Sequence, residues 1–242
     1  MTLHPRDASA LDTLIGDCRR LLGDRLLAAA VYGEAATEAY RPLTSLLETV
    51  LLVDRVVPAD LRLLRDQVDD WYRHRLATPL VVDPAYLVSS RDVFPLEMLE
   101  LRDRHRLLHG APDPFAALPP PNPTYLRLEL EEQVKGKLLH LRETYVALGV
   151  SGRGLDTLLA TTRGPFDVTL RGLLCLADRP RPARLADVID AVAPAYGVRL
   201  PAFATLERWH LGTESLTRNG LEEVFAGLHD ELSSLAERID QR

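Results

Sequence analysis

Two apolar runs decide the fold of the N-terminal half: Leu26-Leu-Ala-Ala-Ala-Val-Tyr32, ended by Gly33, and Leu46-Leu-Glu-Thr-Val-Leu-Leu-Val53. The first run is continuous and the second is broken only by Glu48 and Thr49. Apolar runs of this length, flanked by turn residues, are typical of strands buried on both faces. A third short strand is predicted at Pro79 to Val82. Helical patterns lie before, between and after these runs, and such alternation predicts a sheet covered on at least one face.

The helices of this half follow from apolar spacing and capping residues. The first has a buried stripe from Leu11 to Leu22, with Ser9 as the expected N-cap and Gly23 in the left-handed C-terminal position. A second begins at Pro58, and its stripe continues to Trp71 and Tyr72. Asp83-Pro84 is expected to open a helical turn, and Pro95 to Arg104 reads as another helix.

A proline-rich segment, Leu118-Pro-Pro-Pro-Asn-Pro123, separates this half from the rest of the chain. Prolines at this density can neither continue a helix nor pair as a central strand. We therefore predict domains at 1–118 and 124–242, joined by a linker at 119–123. The second domain reads as a helical bundle. Its predicted helices are Thr124 to Leu148 (stopped by Gly149), Leu155 to Thr162, Pro165 to Ala177, Ala183 to Tyr196, Pro201 to Leu211 and Arg218 to Ile239.

Composition narrows the class of protein. The 242 residues carry a net charge of −6, which argues against a protein built to hold nucleic acid. No apolar run reaches the roughly 20 residues of a membrane span, and no export signal precedes Asp7. Two cysteines, Cys18 and Cys175, lie in different halves on apolar stripes, which predicts buried free thiols. These features predict a cytoplasmic location without a membrane partner.

The order helix, apolar strand, glycine turn, polar loop, apolar strand, helix resembles the nucleotidyltransferase superfamily that includes the kanamycin-type and minimal enzymes. The resemblance implies an α+β fold: a mixed sheet with helices, followed by the helical domain. In that family the first strand ends in Gly-Ser, and the second strand carries two acids separated by one position. Side chains two apart on a strand share a face. There they bind the divalent ions that neutralise a nucleoside triphosphate.

Mapped onto this chain, the resemblance implies a nucleotide site at Gly33, Glu34 and Ser45, with Glu34 replacing the family's serine. The first metal carboxylate falls at Leu46 and the second at Glu48. Glu48 is therefore the candidate catalytic and metal-binding residue. The candidate for a further acid is Asp83, which as Asp-Pro also suits a helix cap.

A second stretch supports the resemblance, Asp92-Val-Phe-Pro-Leu-Glu-Met-Leu-Glu-Leu-Arg-Asp-Arg-His-Arg-Leu-Leu-His-Gly110. It is similar to a segment of bacterial members in which a Phe-Pro helix leads into a strand ending near a glycine. The two matches run from Leu26 to Gly110.

Three hypotheses follow. The first is a nucleotidyltransferase-like pseudoenzyme that binds a nucleotide or a protein partner. The second is an active transferase using Mg²⁺ and a nucleoside triphosphate at a non-standard site, with Glu48 and either Asp83 or Glu38 as metal ligands. The third is an interaction protein, a homodimer joined through its helical half.

Overall fold

The computed structural model of the protein describes residues 2–148 and 154–241. The chain divides into two compact units, the first ending at Asn122 and the second beginning at Pro123. This division falls inside the proline-rich segment. Within the described ranges, no helix has the length and apolar character needed to cross a membrane.

The first unit contains a four-stranded mixed sheet in the order β3-β2-β1-β4. The central pair β1 and β2 is antiparallel, β4 is antiparallel to β1, and β3 is parallel to β2. The strands are β1 (Leu26–Tyr32), β2 (Glu48–Val53), β3 (Leu80–Val82) and β4 (His105–His109). The first strand matches its predicted bounds. β4 ends at His109, next to Gly110, so the strand ends near a glycine as the resemblance implied; a Cβ at Gly110 would lie 2.4 Å from the Leu27 carbonyl oxygen.

Both faces of the sheet are covered, as the two apolar runs predict. One face packs on the first helix through residues that include Leu14, Cys18, Ala29 and Leu51. Burial, helped by the charge of Asp17, raises the pKa of the Cys18 thiol to about 12, so this group stays neutral. The other face carries a second cluster of buried side chains: Ala28, Ala30, Val50, Leu52, Val82, Leu87, Met98, Leu101 and Phe115.

The helices of this unit are α1 (Pro5–Leu22), α2 (Pro58–Arg65), α3 (Val68–Arg73), α4 (Pro84–Ser89) and α5 (Pro95–Asp103). The predicted start of α1 is wrong. Pro5 takes the first helical position and the His4 imidazole caps the helix by accepting from the Arg6 amide, which leaves Ser9 in its interior. Gly23 has a positive φ of 57°, but its ψ of −135° lies outside the left-handed helical region.

The predicted single helix after Pro58 is interrupted at Asp66 and Gln67. Asp66 ends α2, consistent with the tendency of aspartate to favour helix ends over helix interiors. The following short helix, α3, places Trp71 in the core, where its indole Nε1 donates to Asp17 Oδ2 at 3.2 Å.

The second unit consists of helices in the part that the structure describes: α6 (Pro123–Ala147), α7 (Leu155–Leu176), α8 (Leu185–Tyr196), α9 (Pro201–His210) and α10 (Arg218–Asp240). The predicted break before Pro165 is wrong, since α7 is continuous and holds Pro165 in its interior. Packing overrides the local preference there: Phe166 is buried against Phe203, with ring centroids 5.0 Å apart. The predicted stop at Gly149 lies outside the described residues.

Candidate functional site

Three strand ends meet where β1 stops. In the sheet register, Tyr32 at the end of β1 is paired with Glu48 at the start of β2 and with His105 at the start of β4. Residues directly opposite one another in antiparallel strands project from the same face. The chain therefore places a row of polar side chains, Glu48, Tyr32 and His105, along one end of the sheet, on the face that packs on α5.

Gly33 follows this row, and its position is constrained by a close contact with Glu48 and a hydrogen bond to Arg104. Its φ is 71°, and a Cβ at this position would lie 2.5 Å from Glu48 Oε2. Its amide donates to the Arg104 carbonyl at 2.9 Å, so the main chain of the turn is tied to the junction of α5 and β4. The sequence predicted Gly33 and Glu48 as parts of one site, and the structure brings them together.

Helix α5 adds two carboxylates, Glu97 and Glu100, that were not predicted as site residues from the sequence. Burial raises the pKa of the Tyr32 phenol above its ordinary value, and the negative charges of Glu48, Glu100 and Glu97 raise it further. Tyr32 thus stays protonated and can donate a hydrogen bond. Glu100 is buried and paired with Arg104 at 2.8 Å. The spacing Phe-Pro-Leu-Glu-x-x-Glu was visible, but nothing in it indicated that α5 packs over the end of β1.

Glu34 and Ser45 lie in direct contact. The Glu34 carboxylate accepts from Arg41 Nε at 2.9 Å and from Ser45 Oγ at 3.0 Å, and Ser45 Oγ accepts from the Arg41 amide at 2.9 Å. The negative charge that replaces the family's serine is thus balanced by an arginine of the following loop. Glu34 and Ser45, two of the three residues predicted to bind a nucleotide, therefore take part in closing this loop.

The far side of the same loop is fixed by Asp7 of α1. This buried carboxylate accepts from Tyr40 Oη, from the Leu43 amide and from the Arg75 guanidinium. Burial raises the pKa of Asp7, but these hydrogen bonds and the charge of Arg75 outweigh it and hold the pKa below its usual value. The loop that connects β1 to β2 is therefore held by two sets of charged hydrogen bonds, one around Glu34 and one around Asp7.

Leu46 lies before β2, at the position where the resemblance implies a metal carboxylate. Its side chain is 53% exposed, whereas the neighbouring Leu47 is buried and paired with Leu76 in an isolated bridge. Glu48 is half-buried at the first position of the strand. The strand thus carries one carboxylate at this end.

Asp83 lies at the opposite end of the sheet. Val50 is paired with Leu80 and Leu47 with Leu76, so Glu48 is level with residues 77–78 and stands about 16–20 Å from Asp83 along the strands, at about 3.3 Å per residue. Asp83 instead caps α4 and accepts from the amides of Tyr86 and Val56, which lower its pKa. Glu48 and Asp83 therefore cannot bind one ion, and the pairing that the sequence suggested does not fit this register.

A two-metal centre needs several carboxylates aimed at a common point. Over residues 2–148 and 154–241, no three of the side chains that commonly bind metals meet in a suitable group. Glu48 is close to Gly33, and Glu100 has an arginine partner.

His105 is the third side chain of the row, and two residues that follow β4 orient its ring. Its Nε2 lies 2.9 Å from Asp113 Oδ2, and its ring packs edge-on against the buried Phe115. Asp113 also accepts from the amides of Phe115 and Ala116. Burial raises the pKa of Asp113, and these contacts together bring it below its usual value. The pair was not predicted, because Asp113 follows β4 in an irregular segment without a motif.

The mixed sheet of the first unit, its helices and the helical second unit make an α+β fold. Neither models of protein families nor curated protein sequences match the chain. Among solved structures, it is similar to the spectinomycin adenyltransferase AAD(9) from Enterococcus faecialis, solved with ATP and spectinomycin. The TM-score is 0.59 at 11% sequence identity, over 93% of this chain and 99% of that chain. At this identity the likeness concerns the fold.

Proposed function

We propose that this chain is a nucleotidyltransferase-like protein that binds a nucleotide at the strand end around Gly33 and does not carry out two-metal transfer. The observation that carries the proposal is Leu46, an exposed apolar side chain at the position where the resemblance implies the partner of Glu48. A single strand carboxylate can supply only part of the coordination of the two ions that would neutralise a bound triphosphate.

The interactions of the neighbouring charged residues support this proposal. Glu100 is paired with Arg104, and Glu34 is bonded to Arg41 and Ser45. Tyr32 remains a hydrogen-bond donor because its pKa is raised. The site thus offers the Tyr32 O–H as a donor beside a glycine turn, with a single carboxylate on the strand, and we infer that it binds a nucleotide without two-metal chemistry. The similar adenyltransferase was solved with ATP, and we extend nucleotide binding, but not its reaction, to this chain.

Calorimetric titration with ATP, CTP and GTP in Mg²⁺ tests the binding, and a transfer assay with labelled nucleotide in Mg²⁺ or Mn²⁺ tests the chemistry. We expect binding of at least one nucleotide, weakened by Tyr32→Phe, and no transfer. Transfer by the wild-type protein that Glu48→Ala abolishes would overturn the proposal. Leu46→Asp restores the missing acid and serves as the matched variant, in which tighter Mg²⁺-dependent binding is expected.

A second candidate is an active transferase with an unusual carboxylate set. Three carboxylates, Glu48, Glu97 and Glu100, lie close enough to Tyr32 to raise its pKa, so negative charge does converge at this end of the sheet. This candidate predicts transfer that is lost in both Glu48→Gln and Glu97→Gln. Asp83→Ser is the control, because it keeps a helix cap at the far end of the sheet and should leave transfer unchanged.

A further inference from the structure

Helix α6 is apolar on two faces. Its inner face is buried in the second unit through Leu126, Leu130, Val134, Leu138 and Leu141. Four large apolar side chains are nevertheless exposed on the same helix. Their exposed fractions are 42% for Tyr125, 50% for Leu128, 55% for Leu139 and 78% for Val146.

These exposed side chains form one continuous stripe. Together with three exposed charged residues they are spaced alternately by three and four positions, the repeat that lets one helix pack along another. We call this stripe the outer seam. Its members are Tyr125, Leu128, Glu132, Lys135, Leu139, Arg142 and Val146. From Leu128 to Val146 it runs about 27 Å at 1.5 Å per residue.

We infer that the outer seam binds the outer seam of a second copy of this chain, with the two α6 helices antiparallel. The inference is independent of the proposed nucleotide site, because it rests on residues of α6 alone. A two-fold symmetric contact requires a surface that is complementary to itself. The charges of the seam decide which orientation meets this requirement.

A parallel pairing would place each charge of the seam opposite the same charge: Glu132 against Glu132, Lys135 against Lys135 and Arg142 against Arg142. Like charges that face one another across an interface oppose association. The antiparallel pairing centred near residue 137 removes all three conflicts. It places Glu132 opposite Arg142, Leu128 opposite Val146, and the aliphatic stem of Lys135 opposite Leu139.

Contacts within each copy already orient two of these charges. Arg142 Nε donates to His229 Nε2 at 3.0 Å, and Lys135 Nζ is bonded to Glu131 and Asp240. These bonds link the seam of α6 to α10, so the side chains are held before a partner arrives. Preorganisation of this kind lowers the entropy lost on association.

The size of the outer seam determines how tightly two copies are expected to associate. Stable complexes bury about 800 Å² on each partner, which exceeds what one helix contact of about 27 Å provides. We therefore expect a reversible dimer with a dissociation constant in the micromolar range, weakened by salt because Glu132 and Arg142 are exposed.

Sedimentation velocity of the full chain between about 1 and 100 μM, at low and high salt, is the first test. We expect a monomer–dimer equilibrium that Leu139→Glu shifts to monomer across this range, by at least tenfold in the dissociation constant. Leu211→Glu is the matched control, because Leu211 is 42% exposed in the same unit but outside the seam. Circular dichroism checks that both variants remain folded.

Charge reversal tests the orientation. Glu132→Arg and Arg142→Glu should each weaken the dimer, because each puts like charges opposite one another twice, and the double variant should restore it. A wild-type chain that stays monomeric up to 100 μM would overturn the inference. So would a dimer that Leu139→Glu leaves intact, or a double variant no stronger than the single ones.

Discussion

At the scale of single residues, both the backbone conformation and the packing of a neighbouring side chain favour glycine at position 33. Replacing it with alanine puts a Cβ at a φ of 71° and within 2.5 Å of Glu48 Oε2. The carboxylate is the flexible end of its side chain and can move, whereas the backbone strain stays. We expect Gly33→Ala to lower the free energy of unfolding by about 1–2 kcal/mol in urea titrations.

Gly16→Ala is the matched control. Gly16 lies inside α1, and a Cβ at this position would have no atom within 4 Å, so alanine there should stabilise the chain by about 0.5–1 kcal/mol. The double variant Gly33→Ala/Glu48→Ala should recover only the part of the loss due to crowding. If Gly33→Ala unfolds at the urea concentration of the wild type, the turn does not require its positive φ.

Asp7 makes the first unit sensitive to acid. Its pKa is lower in the folded chain than in the unfolded chain, where it is about 3.9, so its stabilisation is complete above that pH. The stabilisation is lost as the pH falls through the folded pKa. We expect Asp7→Asn to lower stability by about 2 kcal/mol at pH 7, because three charged hydrogen bonds are weakened.

The result that tests this assignment is the slope of thermal stability against pH. Thermal melts between pH 7 and pH 3 should show a smaller fall for Asp7→Asn than for the wild type, since the variant has already lost the titrating group. Asp12→Asn removes the same charge from an exposed position of α1 and should follow the wild-type curve. Parallel curves for the wild type and Asp7→Asn would refute the assignment.

At the scale of elements, helix α9 depends on a residue of another helix for its N-terminal cap. Leu200 precedes the helix and offers no capping side chain. The buried Glu231 of α10 instead accepts from the amides of Ala202 and Phe203, at 2.7 and 3.1 Å. Removing this carboxylate leaves two buried donors without their acceptor, and we expect Glu231→Ala to cost about 2–4 kcal/mol in chemical denaturation.

Glu231→Gln should lose less, because its amide oxygen can still accept one of the two bonds. Glu237→Ala, at an exposed position of the same helix, should change stability by no more than about 0.5 kcal/mol. Equal losses for Glu231→Ala and Glu237→Ala would mean that α9 does not rely on this cap.

The sequence predicted the elements best where local signals agree. The bounds of β1 follow from an apolar run and a glycine, and α8 to α10 follow from apolar spacing between glycines and prolines. The predicted helix break before Pro165 was wrong, because packing of Phe166 keeps α7 continuous there. The sequence also did not predict Glu97 and Glu100 as site residues, because a carboxylate on a helix joins a strand-end site only through tertiary packing, which no spacing along the chain records.

At the scale of the whole molecule, each unit has its own core and its own tryptophan. Trp71 is buried in the first unit, and Trp209 is half-buried in the second. The chain contains two tryptophans in all. Fluorescence of Trp209→Phe therefore reports on the first unit, and fluorescence of Trp71→Phe reports on the second.

Because the stabilising contacts of Asp7 lie within the first unit and those of Glu231 within the second, we expect the two units to respond separately to substitution. In the Trp209→Phe background, Asp7→Asn should lower the urea midpoint while Glu231→Ala leaves it unchanged. In the Trp71→Phe background, the pattern should reverse. If either substitution shifts both reporters equally, the two units unfold as one cooperative structure and the expectation of separate responses is wrong.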